Sequence, residues 1–116
     1  MHEYPYPSYL KTHRTRWTLT QHDLSALLGV SDDAISRYES LNRTPALQTV
    51  IAAEFIFGVH ARRIFPSLYT SVERNVAARA AVMAESIGDR TDEESLIKRQ
   101  LIEAIALRMA GEQFNV

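Results

Sequence analysis

With 116 residues, 46% of them hydrophobic and 23% charged, the chain suits one folded domain with room for a helical appendage and is not composed like a disordered one. The absence of cysteine excludes disulfides and thiolate metal sites and suits a reducing cytoplasm. A net charge of −1 supplies no bulk attraction to nucleic acid, and residues 1–66 hold seven basic against six acidic side chains, so binding to DNA has to come from where charges stand.

Tyr4-Pro5-Tyr6-Pro7 biases the start of the chain toward extended geometry. Ser8 can cap a first helix running to about Arg16. Thr20 and Asp23 form a capping box for a second helix, which Gly29 ends in the left-handed conformation. Ser31 caps a third helix to about Leu41. Thr44 as cap and Pro45 at the first helical position open a fourth, ended by Gly58. A short fifth helix covers Ala61 to Phe65. From Ser67, the residues Leu68, Val72, Val76, Ala80, Met83 and Ile87 fall on one helix face, and Gly88 and Asp89 break the run. Thr91-Asp92-Glu93-Glu94 reads as a capping box for a last helix to about Ala110. Its apolar residues, from Leu96 to Met109, cover more than one face, a pattern that suits two neighbours. No stretch alternates with period two, so no sheet is predicted.

No apolar run approaches the roughly 18–20 residues needed to cross a bilayer, and MHEYPYPSYL lacks the blocks of a secretion signal, so a cytoplasmic location and no membrane partner are expected. The histidines, His2, His13, His22 and His60, share no ligand spacing with a carboxylate, so no metal and no cofactor is expected. No nucleophile with a paired base, glycine-rich phosphate loop or carboxylate pair argues for an enzyme.

The informative stretch is Gln21 to Ser40, QHDLSALLGVSDDAISRYES. Two short helices crossing through a tight turn need a residue with positive φ, and Gly29 supplies it. Close crossing needs small residues, here Ser25 and Ala26. The inward face needs apolar ones, here Leu24, Leu28, Val30, Ile35 and Tyr38.

In these features, and in Leu10, Thr20-Gln21, Gly29-Val30-Ser31, Ile35-Ser36, Tyr38-Glu39, Pro45 and Gly58-Val59, the segment from about Leu10 to Phe65 resembles the Cro/repressor (XRE) family of helix-turn-helix proteins. The resemblance implies an all-α chain: a five-helix, lambda-repressor-like DNA-binding domain over residues 8–66, with its motif at 21–40. A two-helix hairpin over 67–116, suited to dimerisation, follows. It implies that the third helix enters the major groove of double-stranded DNA. Gln21 matches a residue that contacts the DNA backbone and can buttress the reading helix. Ser31, Asp32, Asp33, Ser36 and Arg37 match positions facing bases and phosphates. Arg14 and Glu39 match a structural ion pair between the first and third helices.

Two departures stand out. His13 falls where the family has an apolar core residue, and its expected place is partly buried beside Trp17. Asp32 and Asp33 open the reading helix. They can complement the helix dipole, accept from cytosine N4, or repel phosphates and turn the domain toward protein partners. Arg37, four residues after Asp33, can pair with it or read guanine. Lys11 and Arg43 are phosphate contacts or ordinary solvated charges. Arg62 and Arg63 read as surface or interface residues, and Tyr4, Tyr6 and Tyr9 as an arm over the core. The function expected is a homodimeric, sequence-specific transcriptional regulator. The alternative is an antitoxin-like module that binds a protein partner through the C-terminal helices.

Overall fold

The computed structural model describes residues 6–111. Every regular element among them is a helix: α1 (Leu10–Arg16), α2 (Gln21–Leu28), α3 (Asp32–Ser40), α4 (Leu47–Phe57), α5 (Ala61–Ile64), α6 (Pro66–Ile87) and α7 (Glu93–Met109). The chain divides into two units, 1–70 and 71–116. No helix among the described residues is long and apolar enough to cross a membrane.

The first unit is built around α2, which packs on both α3 and α4, while α1 packs on α3 and α4 on α5. Leu10, Leu24, Ile35, Ile64 and Phe65 are almost wholly enclosed, joined by Ala34, Tyr38, Ala53 and Phe57. Leu28 and Val30 pack against this cluster at its margin. Of the two small residues expected at the crossing, Ser25 is buried but Ala26 faces outward. Ala34, on the α3 side, takes the second small-residue place. The start of the chain is tied to the end of α5 by the Tyr9 N–H, which donates to the Ile64 carbonyl at 2.7 Å. Tyr6 meets Tyr9 edge to face at 5.6 Å. Tyr4 lies outside the described residues.

Helix ends follow local side-chain chemistry. Thr20 and Asp23 close the reciprocal box at the start of α2, and the Ser31 hydroxyl accepts from the Ala34 N–H. Gly29, at φ 72°, turns the chain so that the Ser25 carbonyl receives both the Gly29 and the Val30 N–H. The starts of α1, α4 and α7 differ from expectation: at α1 the cap position is Tyr9, and Ser8, one residue before it, accepts the Leu10 N–H at 3.1 Å. α4 begins at Leu47, not Pro45: the chain stays extended through Ala46 (φ −67°, ψ 156°), whose carbonyl takes the first helical bonds. Thr44 therefore caps nothing. The cap of α7 is Asp92, not Thr91. Its carboxylate accepts both the backbone N–H and the hydroxyl of Ser95, which hold its pKa below the usual range. Asp92 also places negative charge at the positive end of the helix dipole.

The end of α1 is unusual. Leu19 N–H donates to the Arg14 carbonyl and Thr18 N–H to the Thr15 carbonyl, the paired bonds of a Schellman stop. The left-handed position is Thr18, at φ 59°, where the motif ordinarily uses glycine. Glu54 performs a longer-range closure: its carboxylate accepts the Ala61 N–H at 2.9 Å and so caps α5 from α4.

His13 is buried with its ring against Phe57, 5.7 Å between centroids, while Trp17 stands 62% exposed. Burial holds the imidazole pKa below 6.5, and the nearby charges of Arg16 and Arg63 act in the same direction.

Two outcomes are expected. Thr18→Gly removes the penalty of a β-branched residue in left-handed geometry and should stabilise the first unit by about 1 kcal/mol, read as a raised midpoint in thermal melts. His13 binds a proton more readily in the unfolded chain. Stability should therefore be complete above pH 6.5 and fall as the pH drops below it, with a slope of at most about 1.4 kcal/mol per pH unit. In denaturant titrations from pH 5 to 7.5, His13→Leu should lose that component of the slope.

Candidate nucleic-acid interface

α3 presents two faces. Ala34, Ile35 and Tyr38 are buried, while Ser31, Asp32, Asp33, Ser36, Arg37 and Ser40 are exposed along the opposite side. What fixes this rod is a polar knot at its inner end. Arg14 Nε donates to Glu39 Oε2 at 2.7 Å and its Nη2 to Oε1 at 3.3 Å, with both side chains about nine-tenths enclosed. Arg14 Nη1 donates to the Leu19 carbonyl at 2.9 Å. Gln21, at the start of α2, donates its amide to Glu39 Oε1 at 2.9 Å. One carboxylate on α3 thus takes donors from α1 and α2, and the same guanidinium holds the loop between them.

A second brace sits at the other end of α3. The Ser25 hydroxyl lies 2.6 Å from Asp32 Oδ1 and 2.7 Å from the His22 carbonyl, and His22 Nδ1 lies 3.1 Å from Asp32 Oδ1. The Ser25 hydroxyl, and after it the His22 ring, keep the Asp32 carboxyl below its usual pKa. Asp32 therefore faces α2, with both carboxylate oxygens within 3.2 Å of the His22 ring and Oδ1 also on the Ser25 hydroxyl. Asp33 turns the other way and pairs with Arg37 at 2.8 Å, across one helical turn and in the open.

The remaining expected contacts are scattered. Arg43 lies just past the end of α3, its guanidinium 5.7 Å from the centre of the Tyr38 ring and its N–H on the Arg37 carbonyl. Lys11 is exposed on α1. Arg62, expected at the surface or an interface, lies over the Tyr69 ring at 5.5 Å. The Ser25–Asp32–His22 brace has no counterpart in the sequence reading. Ser25 was legible only as a small residue, and its hydroxyl acquires a partner seven positions away once the turn at Gly29 folds back.

Removing the Glu39 carboxylate leaves the Arg14 guanidinium enclosed and uncompensated. Glu39→Ala should cost about 3–5 kcal/mol, measured by denaturant unfolding, whereas Asp33→Ala, which breaks an exposed pair, should cost less than about 1 kcal/mol.

Residues 10–64 match a family model described as helix-turn-helix, and the match runs from the first residue of α1 to the last of α5. No curated protein and no solved structure matches the chain. α2 and α3 thus form a helix-turn-helix motif, and residues 10–64 are similar to helix-turn-helix domains of the Cro/repressor (XRE) type.

Proposed function

We propose that the protein binds a specific duplex operator as a homodimer, with α3 in the major groove of each half-site. The observation that carries this reading is the exposed row Ser31, Asp33, Ser36 and Arg37 on a helix whose orientation is fixed by the Arg14–Glu39–Gln21 knot. Arg37 is the reader of guanine in this scheme. Its pairing with Asp33 is solvent-exposed and worth little, so exchange for a bidentate bond to a base is favourable. Arg43 and Lys11 hold phosphates, and Asp32 serves the α2–α3 brace.

Two copies are argued from area and from the second unit. A single module of this kind buries about 600–1,000 Å² against DNA, too little for tight specific binding. Within residues 71–111 only Ile87 and Ser95 are buried, whereas Val72, Val82, Met83, Leu96, Ile97, Leu101 and Leu107 are between 44% and 66% exposed. Apolar side chains on this scale call for a protein surface to cover them. The same residues also suit a different polypeptide, the antitoxin-like reading, and a small protein that co-purifies in fixed ratio would favour it.

Selection from random duplexes should return a palindromic site whose halves lie about one helical turn apart. Arg37→Ala should relax preference at one position per half-site by about 1–3 kcal/mol. Arg43→Ala and Lys11→Ala should weaken all sequences alike and flatten the salt dependence. A selection profile unchanged by Arg37→Ala rejects its role as reader, and indifference to every duplex at low salt rejects the function.

A further inference from the structure

A dimer formed through the second unit has a specific register written in α7, and that register rests on the homodimer reading. α7 has an outward face on which Ile97 and Leu101 are 57% and 54% exposed and Ile105 is half-buried. Seven residues make nearly two turns, so positions seven apart share one stripe. Leu101 has Glu94 seven residues before it and Arg108 seven after it. Among the described residues neither Glu94 nor Arg108 has an ion-pair partner. Ile97 and Ile105 lie four before and four after. About Leu101 the stripe is therefore symmetric in shape and antisymmetric in charge.

We propose that α7 pairs antiparallel with α7 of a second copy about a two-fold axis at Leu101, so that Glu94 of each chain meets Arg108 of the other. A two-fold contact uses the same patch on both subunits, which must then be complementary to itself. In the antiparallel register Leu101 meets Leu101, Ile97 meets Ile105, and both ends carry opposite charges. A parallel pairing sets Glu94 on Glu94 and Arg108 on Arg108, an arrangement that like charges oppose. Another bare apolar ridge, Leu47, Ile51 and Phe55 on α4, has no such code. The one charged residue between Leu47 and Phe57 is Glu54, and its carboxylate caps α5.

The chain has no cysteine, so single thiols report alone. Leu101→Cys, treated with a short bis-maleimide, should give a covalent dimer. Glu94→Cys should not link to itself, because its copies stand about 21 Å apart along the pair, but should link when mixed with Arg108→Cys. Equal self-linking at positions 94 and 101 would mean a parallel pair and overturn the proposal. Charge swaps supply the second arm. Glu94→Arg or Arg108→Glu alone should weaken the dimer about tenfold by light scattering, and the double swap should restore it to within about threefold. Both swaps oppose the α7 dipole, so recovery in the double variant has to come from the partner chain. A dimer by mass that neither links at 101 nor responds to the swaps overturns this register alone and moves the interface elsewhere, the α4 ridge first. A monomer at all concentrations overturns the homodimer reading with it.

Discussion

The arrangement of α1, α2 and α3 depends on one enclosed carboxylate. Glu39 receives two donors from Arg14 and one from Gln21, and Arg14 spends its remaining arm on the Leu19 carbonyl. Charges this enclosed are costly to desolvate, and the cost is offset only when each donor and acceptor is met in good geometry. That demand makes the knot a gauge of angle. A rotation of α3 that the apolar core would tolerate breaks the fork of hydrogen bonds, so the core sets the closeness of the helices and the knot sets their direction. Lysine at position 14 would keep the charge but not the planar fork that spans the carboxylate and the carbonyl together.

Much of this was legible in the chain. Thr20, Ser31, Gly29 and Gly58 act through bonds to residues within a few positions, and local patterns report local bonds well. The inward residues Leu24, Ile35 and Tyr38 follow from helical periodicity. The misses have physical reasons. Pro45 has a fixed φ that suits a helix start, but the chain stays extended through Ala46 and the helix begins at Leu47. Thr91 and Asp92 both make good caps, and the sequence does not say which the backbone will choose. Thr18 takes a glycine's conformation because α1 must turn there, and no local signal announces it. The neighbours of His13 and the hydroxyl bond of Ser25 to Asp32 arise from helices meeting across the core, where sequence spacing carries no distance.

The two aspartates at the start of α3 show how adjacent residues of one type come to do different work. Asp32 points back to Ser25 and His22 and stitches the turn. Asp33 points along its own helix to Arg37. Both also stand in the first turn, where a negative charge complements the helix dipole. Neither is a bare carboxylate, which in the proposed docking would soften the conflict between acidic residues and a phosphate-lined groove.

The left-handed stop at Leu41 fixes the length of α3 at nine residues. At 1.5 Å per residue such a rod spans about 13.5 Å, which is about four base pairs of duplex. Four positions distinguish about 256 words, while a genome offers roughly a million or more competing registers. In the proposed docking, one rod of this length would address a short word that recurs by chance every few hundred base pairs, and any longer address would have to be assembled from more than one of them.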